Sequence, residues 1–373
     1  MVCSSREWKE NLQNWARTLG FVAIGFTSAE SVGGLENYLQ TRKLHGLATS
    51  FEGDNFAERS GPRRVWPECR SVVALAYPLP LTSSPQPGEG VLARSAVGED
   101  YHRILRRKLG ELVELMLATG WQTEVPRVQV DTGPLVERAF ALRAGVGWIG
   151  KNQLLIVPGY GSFVALALLL LDQELEPDGS IANQCGECQR CIQACPAQIL
   201  GEQEFAAIRC FSFLTQSKQL SLAEGEKLGN RIFGCDTCQE VCPHNRGRLK
   251  QELELEQRQQ ELELEQRRKV GLELAQQADL ELTEQTDLEQ VQRVSLRRGV
   301  DLLELLDLTK GRFNEKYGAT AAGWRGKGLL QRNAYLTLRY LGDPRLAEWV
   351  QNKGPDVPPI MRGYVAEADL FKI

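Results

Sequence analysis

The spacing of the cysteines constrains this chain more than any other feature. Cys185-x2-Cys188-x2-Cys191-x3-Cys195 runs directly into Pro196, and a shorter run, Cys235-x2-Cys238-x3-Cys242, runs directly into Pro243. Cys210 stands alone between them. Three closely spaced thiols and a fourth followed by proline are the run that wraps an iron–sulfur cube. Residues 185–242 supply eight thiolates, the number that two [4Fe–4S] clusters need. Paired structural zinc sites would use the CxxC pairs, but they leave the x3 step and both Cys-Pro ends without a reason. Ten cysteines in 373 residues, under 3%, are too few for a disulfide scaffold.

In two-cluster ferredoxins the fourth cysteine of one run ligates the other cluster, because the turn that wraps three ligands sends the x3-spaced one away. That rule groups Cys185, Cys188 and Cys191 with Cys242, and Cys195 with Cys235, Cys238 and Cys210. Crossed ligation brings two cubes close together, as electron relay requires. Cys3 and Cys69 fall outside the set and read as ordinary thiols. The longest apolar run, Phe163 to Leu171, has nine residues, against about 20 for a membrane span. No apolar run follows a basic start at the N-terminus, so the expected compartment is the reducing cytosol, with no membrane association.

Composition divides the chain into four regions. Residues 1–175 read as a mixed α/β or α+β domain, with helical patterns at 5–19, 34–44, 99–119 and 134–144. Strand patterns fall at 21–26, 71–77, 125–131, 154–157 and 163–171, and breakers make 80–90 a loop. Helical signals between the strands predict a sheet fed at least in part by helical crossovers. Residues 176–247 form the loop-rich cysteine module, too short to fold on an apolar core alone. Residues 248–300 are a charged insert of low complexity, in which 252–258 recurs nine residues later, and it reads as mostly solvated. Residues 301–373 return to helical patterning.

Net charge is −4, so no global field advertises nucleic acid. The distribution is uneven, however. Residues 251–300 carry twelve acids and seven bases, while Lys310 to Arg345 holds eight bases and two acids. The basic stretch is either a solvated helix face or a surface for phosphate backbone.

Three motifs precede the cysteines. VDTGPLVER at 130–138 delivers Asp131 to a strand end, where it either caps a helix or faces a cleft. GVGWIGKN at 145–152 sets three glycines around a Trp, which permits close backbone approach to a large ligand. GEDYH at 98–102 opens a basic helix and contains one of only three histidines; a lone histidine is more often packing than chemistry.

With CGECQRCIQACPAQIL at 185–200, RCFSFLT at 209–215 and GCDTCQEVCPHN at 234–245, these motifs resemble the epoxyqueuosine reductase family, over 20–247 continuously. Arg332-Asn333-Ala334, after Gly328-Leu329-Leu330, resembles that family's C-terminal HEAT-like repeat. The resemblance implies an N-terminal cobalamin-binding domain, a ferredoxin-like two-cluster module and a helical RNA-contacting region. It implies reduction of epoxyqueuosine at the tRNA wobble position, with two [4Fe–4S] clusters feeding base-off cobalamin. Asp131 is then the proton donor, and its carboxyl should titrate high through burial beside the corrinoid. Arg59, Tyr101, His102, Lys151, Asn152 and Ser212 lie in or near segments expected to line the corrinoid. Lys310, Arg325, Lys327 and Arg332 are the expected clamp on the anticodon stem-loop. The electron donor would be of flavodoxin or ferredoxin type, and the protein a monomer. Two rival readings are a corrinoid reductive dehalogenase, which usually carries a twin-arginine leader, and an electron-transfer ferredoxin without corrinoid. A third is a zinc-stabilised RNA-binding protein.

Overall fold

A computed structural model describes residues 5–120, 124–201, 204–254, 257–258 and 296–369. The repeat within the charged insert, and Cys3, lie largely or wholly outside them. A four-stranded sheet organises the N-terminal half: β1 (Ala23–Ser28), β2 (Ser71–Pro78), β3 (Arg127–Gln129) and β4 (Val164–Leu171), in the order β1-β2-β4-β3. Four of the five strand patterns read from sequence fall on these segments, and the fifth, 154–157, falls on a separate two-stranded hairpin. Helices do lie between the strands, yet every neighbouring pair is antiparallel, with Val72 opposite Leu170 and Ala74 opposite Gly25. The architecture is therefore mixed α+β, not a wound parallel sheet.

Both faces of this sheet are covered, which is why β2 and β4 read as unbroken apolar runs instead of alternating ones. On one face Val73, Leu75, Leu169 and Leu171 pack with Trp8 and Leu12 of α1 (Ser5–Thr18). Leu105, Leu109 and Met116 of α3 (Tyr101–Ala118) complete that layer, while α2 (Leu35–Leu44) stands outside it. On the other face Val72, Ala74, Leu168 and Leu170 pack with Phe140 and Ala141 of α4 (Glu137–Arg143). The Trp148–Ile149 and Leu155–Ile156 hairpin closes this side. Gly147 is required there, because a Cβ would meet the Ile156 carbonyl oxygen at 2.2 Å.

A separate core ties the remaining regions together. Residues Gly90–Leu92 pair with Arg231–Phe233 of the cysteine module and with Gly299–Val300. The 80–90 segment is thus not a free loop throughout: Thr82–Ser83 also pairs with Leu296–Arg297. Helices α5 (Leu302–Asp307), α6 (Lys310–Tyr317), α7 (Lys327–Leu341) and α8 (Arg345–Lys353) share this core. Every residue of α7 from Leu329 to Leu338 is buried, so α7 is an axis of packing and not a surface helix. Glu252 corrects the solvated reading of the insert at its first turn: it is 5% exposed and accepts from Arg94 at 2.6 Å. Among the described residues no helix is long and apolar enough to cross a membrane.

Candidate active site

The eight thiols separate into the two expected groups. Cys185, Cys188, Cys191 and Cys242 line one small cavity with Lys151, Asn152 and His244. Cys210 and Cys238 are pushed above the ordinary thiol range by burial, and the neighbouring Cys235 raises both further. Cys195 also bears on Cys210, and Cys191 of the first group bears on Cys238, so the two groups lie near each other. Donors await sulfur in both places. The Asn152 Nδ2 is buried beside the first group without a hydrogen-bond partner. Arg231 donates its Nε to Cys235 Sγ at 3.3 Å in the second. Four thiols around the first cavity, and an arginine N–H donated to sulfur in the second group, suit iron–sulfur cubes.

A much larger cavity, about 920 Å³, opens between the sheet domain and the cysteine module. One wall carries Arg59, Tyr101, Asp131 and Glu137; Ala207 and Ser212 of the module form the opposite wall. Strand β3 ends just before Asp131, whose backbone is left-handed (φ 53°). That conformation is uncommon outside glycine but tolerated by Asp. Gln129 clamps the loop that follows, donating to the Leu135 carbonyl at 2.8 Å and accepting from the Leu135 N–H at 3.0 Å.

The Asp131 side chain is 61% exposed into this space, and its Oδ2 accepts from Tyr101 at 2.9 Å. His102 Nε2 lies 3.2 Å from the same oxygen, while His102 Nδ1 lies 2.7 Å from Asp100 Oδ1. The histidine thus sits behind the aspartate, not in the lining, and the rings of Tyr101 and His102 stack at 4.1 Å. The His102 hydrogen bond holds the Asp131 carboxyl below the usual range against the effect of burial, and Tyr101 adds to it. The expected rise rests on burial beside a corrinoid; the protein's own side chains hold the carboxyl low. Burial disfavours a charged His102, but the carboxylates of Asp131 and Asp100 outweigh it and raise the ring above its ordinary value. Of the two groups, the histidine is therefore the better store for a proton. Burial also pushes Glu137 up to about 7, against the hydrogen bond it accepts from Gln129 at 2.5 Å.

Residues 59–132 match the family described as "Epoxyqueuosine reductase QueG, DUF1730", and 184–245 match the "4Fe-4S double cluster binding domain". The epoxyqueuosine reductase of Bacillus subtilis is 34% identical, over 96% of this chain and 86% of its own. That of Listeria monocytogenes is 36% identical over 95% and 86%. This chain belongs to the epoxyqueuosine reductase family. A selenomethionine-labelled epoxyqueuosine reductase superposes with a TM-score of 0.80 and 33% identity, covering 96% of this chain and 89% of that one. A second, solved with an epoxyqueuosine-modified tRNA-Tyr stem loop, gives 0.78 and 32%, covering 96% and 88%.

Within this family member, some expected positions move. Arg59, Tyr101, Asp131 and Ser212 line the large cavity, as the motifs implied. Lys151 and Asn152 do not: the hairpin folds them onto the first cysteine group, where Lys151 donates to the Gly186 carbonyl at 2.7 Å. Arg332 is fully buried and cannot reach a phosphate; it donates to the Ser217 carbonyl at 2.7 Å and to Asn333 Oδ1 at 2.8 Å. Lys327 is half-buried, its amino group donating to the Leu308 carbonyl at 3.1 Å, and Arg325 donates to the Gln216 carbonyl at 2.9 Å. Lys316, Arg339 and Arg345 are paired with Glu304, Glu226 and Asp343. Of the expected clamp only Lys310 is fully exposed. Sequence reasoning passed over Glu137 and Arg138, although both lie in the VDTGPLVER motif and line the cavity.

Proposed function

We propose that the chain reduces the epoxide of epoxyqueuosine in tRNA to the alkene of queuosine, as an oxidoreductase. Two electrons and two protons are consumed, and the epoxide oxygen leaves as water. The observation that carries this reading is the Asp131 carboxylate, 3.2 Å from His102 Nε2, on the lining of an open cavity that Ser212 of the cysteine module also lines. A relative's structure is described by an aspartate-bearing catalytic loop swung out of the active site; the loop-mounted Asp131 suits that role.

The two cysteine groups would each hold a [4Fe–4S] cluster, which supplies electrons singly. Arg59, Tyr101, Asp131 and Ser212 would hold base-off cobalamin, which when bound supplies a low-valent, strongly nucleophilic metal. The cavity suits such a group by its mixed lining, with Leu154, Leu155 and Val164 beside the charged residues. The chain's own part is proton management. His102 Nε2 passes its proton to Asp131 Oδ2, and Asp131 delivers it to the departing oxygen. Asp100 holds the ring in place through Nδ1, and Tyr101 orients the carboxylate. Glu137, poised near neutrality, restores the second proton. Helices α5–α8 serve as the HEAT-like region near the RNA, and a flavodoxin- or ferredoxin-type carrier feeds the monomer in the cytoplasm.

The test is anaerobic reconstitution with iron, sulfide and cobalamin, then incubation with epoxyqueuosine-containing tRNA and a low-potential reductant, followed by nucleoside analysis. Queuosine should appear only in the complete mixture. Fewer than about eight irons per chain, or no queuosine with cobalamin bound, would overturn the reading.

A further inference from the structure

The mouth of the large cavity carries an aromatic group that the proton machinery does not use. Phe51 lines the cavity and is 46% exposed, while Trp324 beside it is 58% exposed. Their ring centroids lie 5.6 Å apart, and Phe213 of the cysteine module meets Phe51 at 5.2 Å. Arg325 covers both outer rings, its guanidinium 4.5 Å from the Trp324 centroid and 5.3 Å from that of Phe51. Its Nε is tied to the Gln216 carbonyl, so the cation is held in place and does not sweep the surface.

Three separate stretches of chain are thus brought together to hold a half-exposed indole under a fixed guanidinium. Burying that indole would have been favourable; its exposure beside a cavity points to an aromatic ligand. Aromatic faces and arginine planes stack unpaired nucleobases, tolerate any base, and leave base edges free. An enzyme that draws one base of a loop into a cavity must also hold the neighbours it unstacks.

Resting on the function proposed above, we propose that Trp324, with Phe51 and Arg325, is a stacking platform for an unpaired nucleobase adjoining the one that enters the cavity. Binding of a fluorescently labelled, unmodified anticodon stem-loop to the reconstituted protein tests it. Trp324→Ala should weaken binding about tenfold, by the same factor at low and moderate salt, since stacking releases no counterions. Trp324→Phe should stay within about threefold of the parent, with iron content unchanged in both. On the parent protein, an abasic substitution at one loop position should reproduce the tenfold loss. Trp324→Ala should then add nothing to it, as coupled partners require. Binding by Trp324→Ala within twofold of the parent, or fully additive losses for every abasic position, would overturn the platform. Queuosine formation by the parent reports separately on the function, so the two readings fail independently.

Discussion

Two clusters of ionised side chains in this molecule use the same chemistry for opposite ends. Around Arg94, the carboxylates of Asp236, Glu240 and Glu252 lie at 3.3, 3.1 and 2.6 Å, and Arg298 joins Asp236 and Glu240. Arg94, Asp236 and Glu252 expose only 5%, 5% and 6% of their side chains. Arg94 belongs to the N-terminal region, Asp236 to the cysteine module and Glu252 to the start of the insert, so this cluster fastens three regions together. Around His102, by contrast, Asp131 stays 61% exposed on a left-handed residue at a strand end. Buried charge with every partner present makes a joint. Charge left open on a cavity, with one proton shared among three groups, can do work on a substrate.

That contrast breaks if the two clusters respond alike to substitution. Asp131→Asn should lower turnover about 10²–10⁴-fold, the usual worth of a positioned acid or base. Asn tolerates the left-handed backbone as well as Asp, so the iron content should not move and the urea midpoint should fall only by the lost His102 pairing. Arg94→Met should do the reverse of this at the level of folding. It strands Glu252 without its cation and leaves Asp236 to Arg298 alone, a change that typically costs about 3–5 kcal/mol, read as a lower urea midpoint. An Arg94→Met protein as stable as the parent would show that the buried cluster is no joint.

The pH dependence sharpens the comparison. His102 has a folded value raised above the ordinary imidazole value of about 6.5. Its stabilising charge is therefore fully present below that unfolded value and is lost as pH rises through the raised one. Turnover should fall along the same limb, because the stored proton leaves with it. Titrating the ring by NMR in Asp131→Asn should show its value dropping, since the main group that raises it has become neutral. Tyr101→Phe should have a smaller effect, about tenfold on turnover, and should let the Asp131 carboxyl rise, since it loses a donor that lowers it. A His102 titration identical in parent and Asp131→Asn would separate the two residues.

Much of this was readable from the chain, and the failures have physical causes. Periodicity located the strands because both faces of the sheet are buried, and thiol spacing grouped the cysteines because cube geometry leaves few alternatives. Strand direction was not readable: helices between strands are compatible with antiparallel neighbours. Arg332 looked like surface because counting charge along a sequence cannot see that α7 is enclosed on every side. Lys151 and Asn152 looked like cavity lining because the hairpin that turns them toward the cysteines depends on pairing between Trp148–Ile149 and Leu155–Ile156. The low titration of Asp131 comes from His102, twenty-nine residues away in the chain, so a motif containing only the aspartate gave no sign of it.

The smallest expected effect lies on the basic stretch itself. Its eight bases suggested a broad phosphate surface, but Arg332 is buried and three others are paired with carboxylates. Lys310 and Arg312 are exposed and have no ion pair among the described residues. Each phosphate contact to a single strand contributes about 0.7 to the slope of log affinity against log salt. Reversing Lys310 and Arg312 to Glu should therefore weaken stem-loop binding severalfold at low salt and flatten that slope by about one to one and a half. Arg339→Glu should change neither, because Arg339 donates to Glu226 at 2.9 Å and brings little free charge to the surface. A slope reduced equally by both variants would mean that the paired arginine still reaches the RNA.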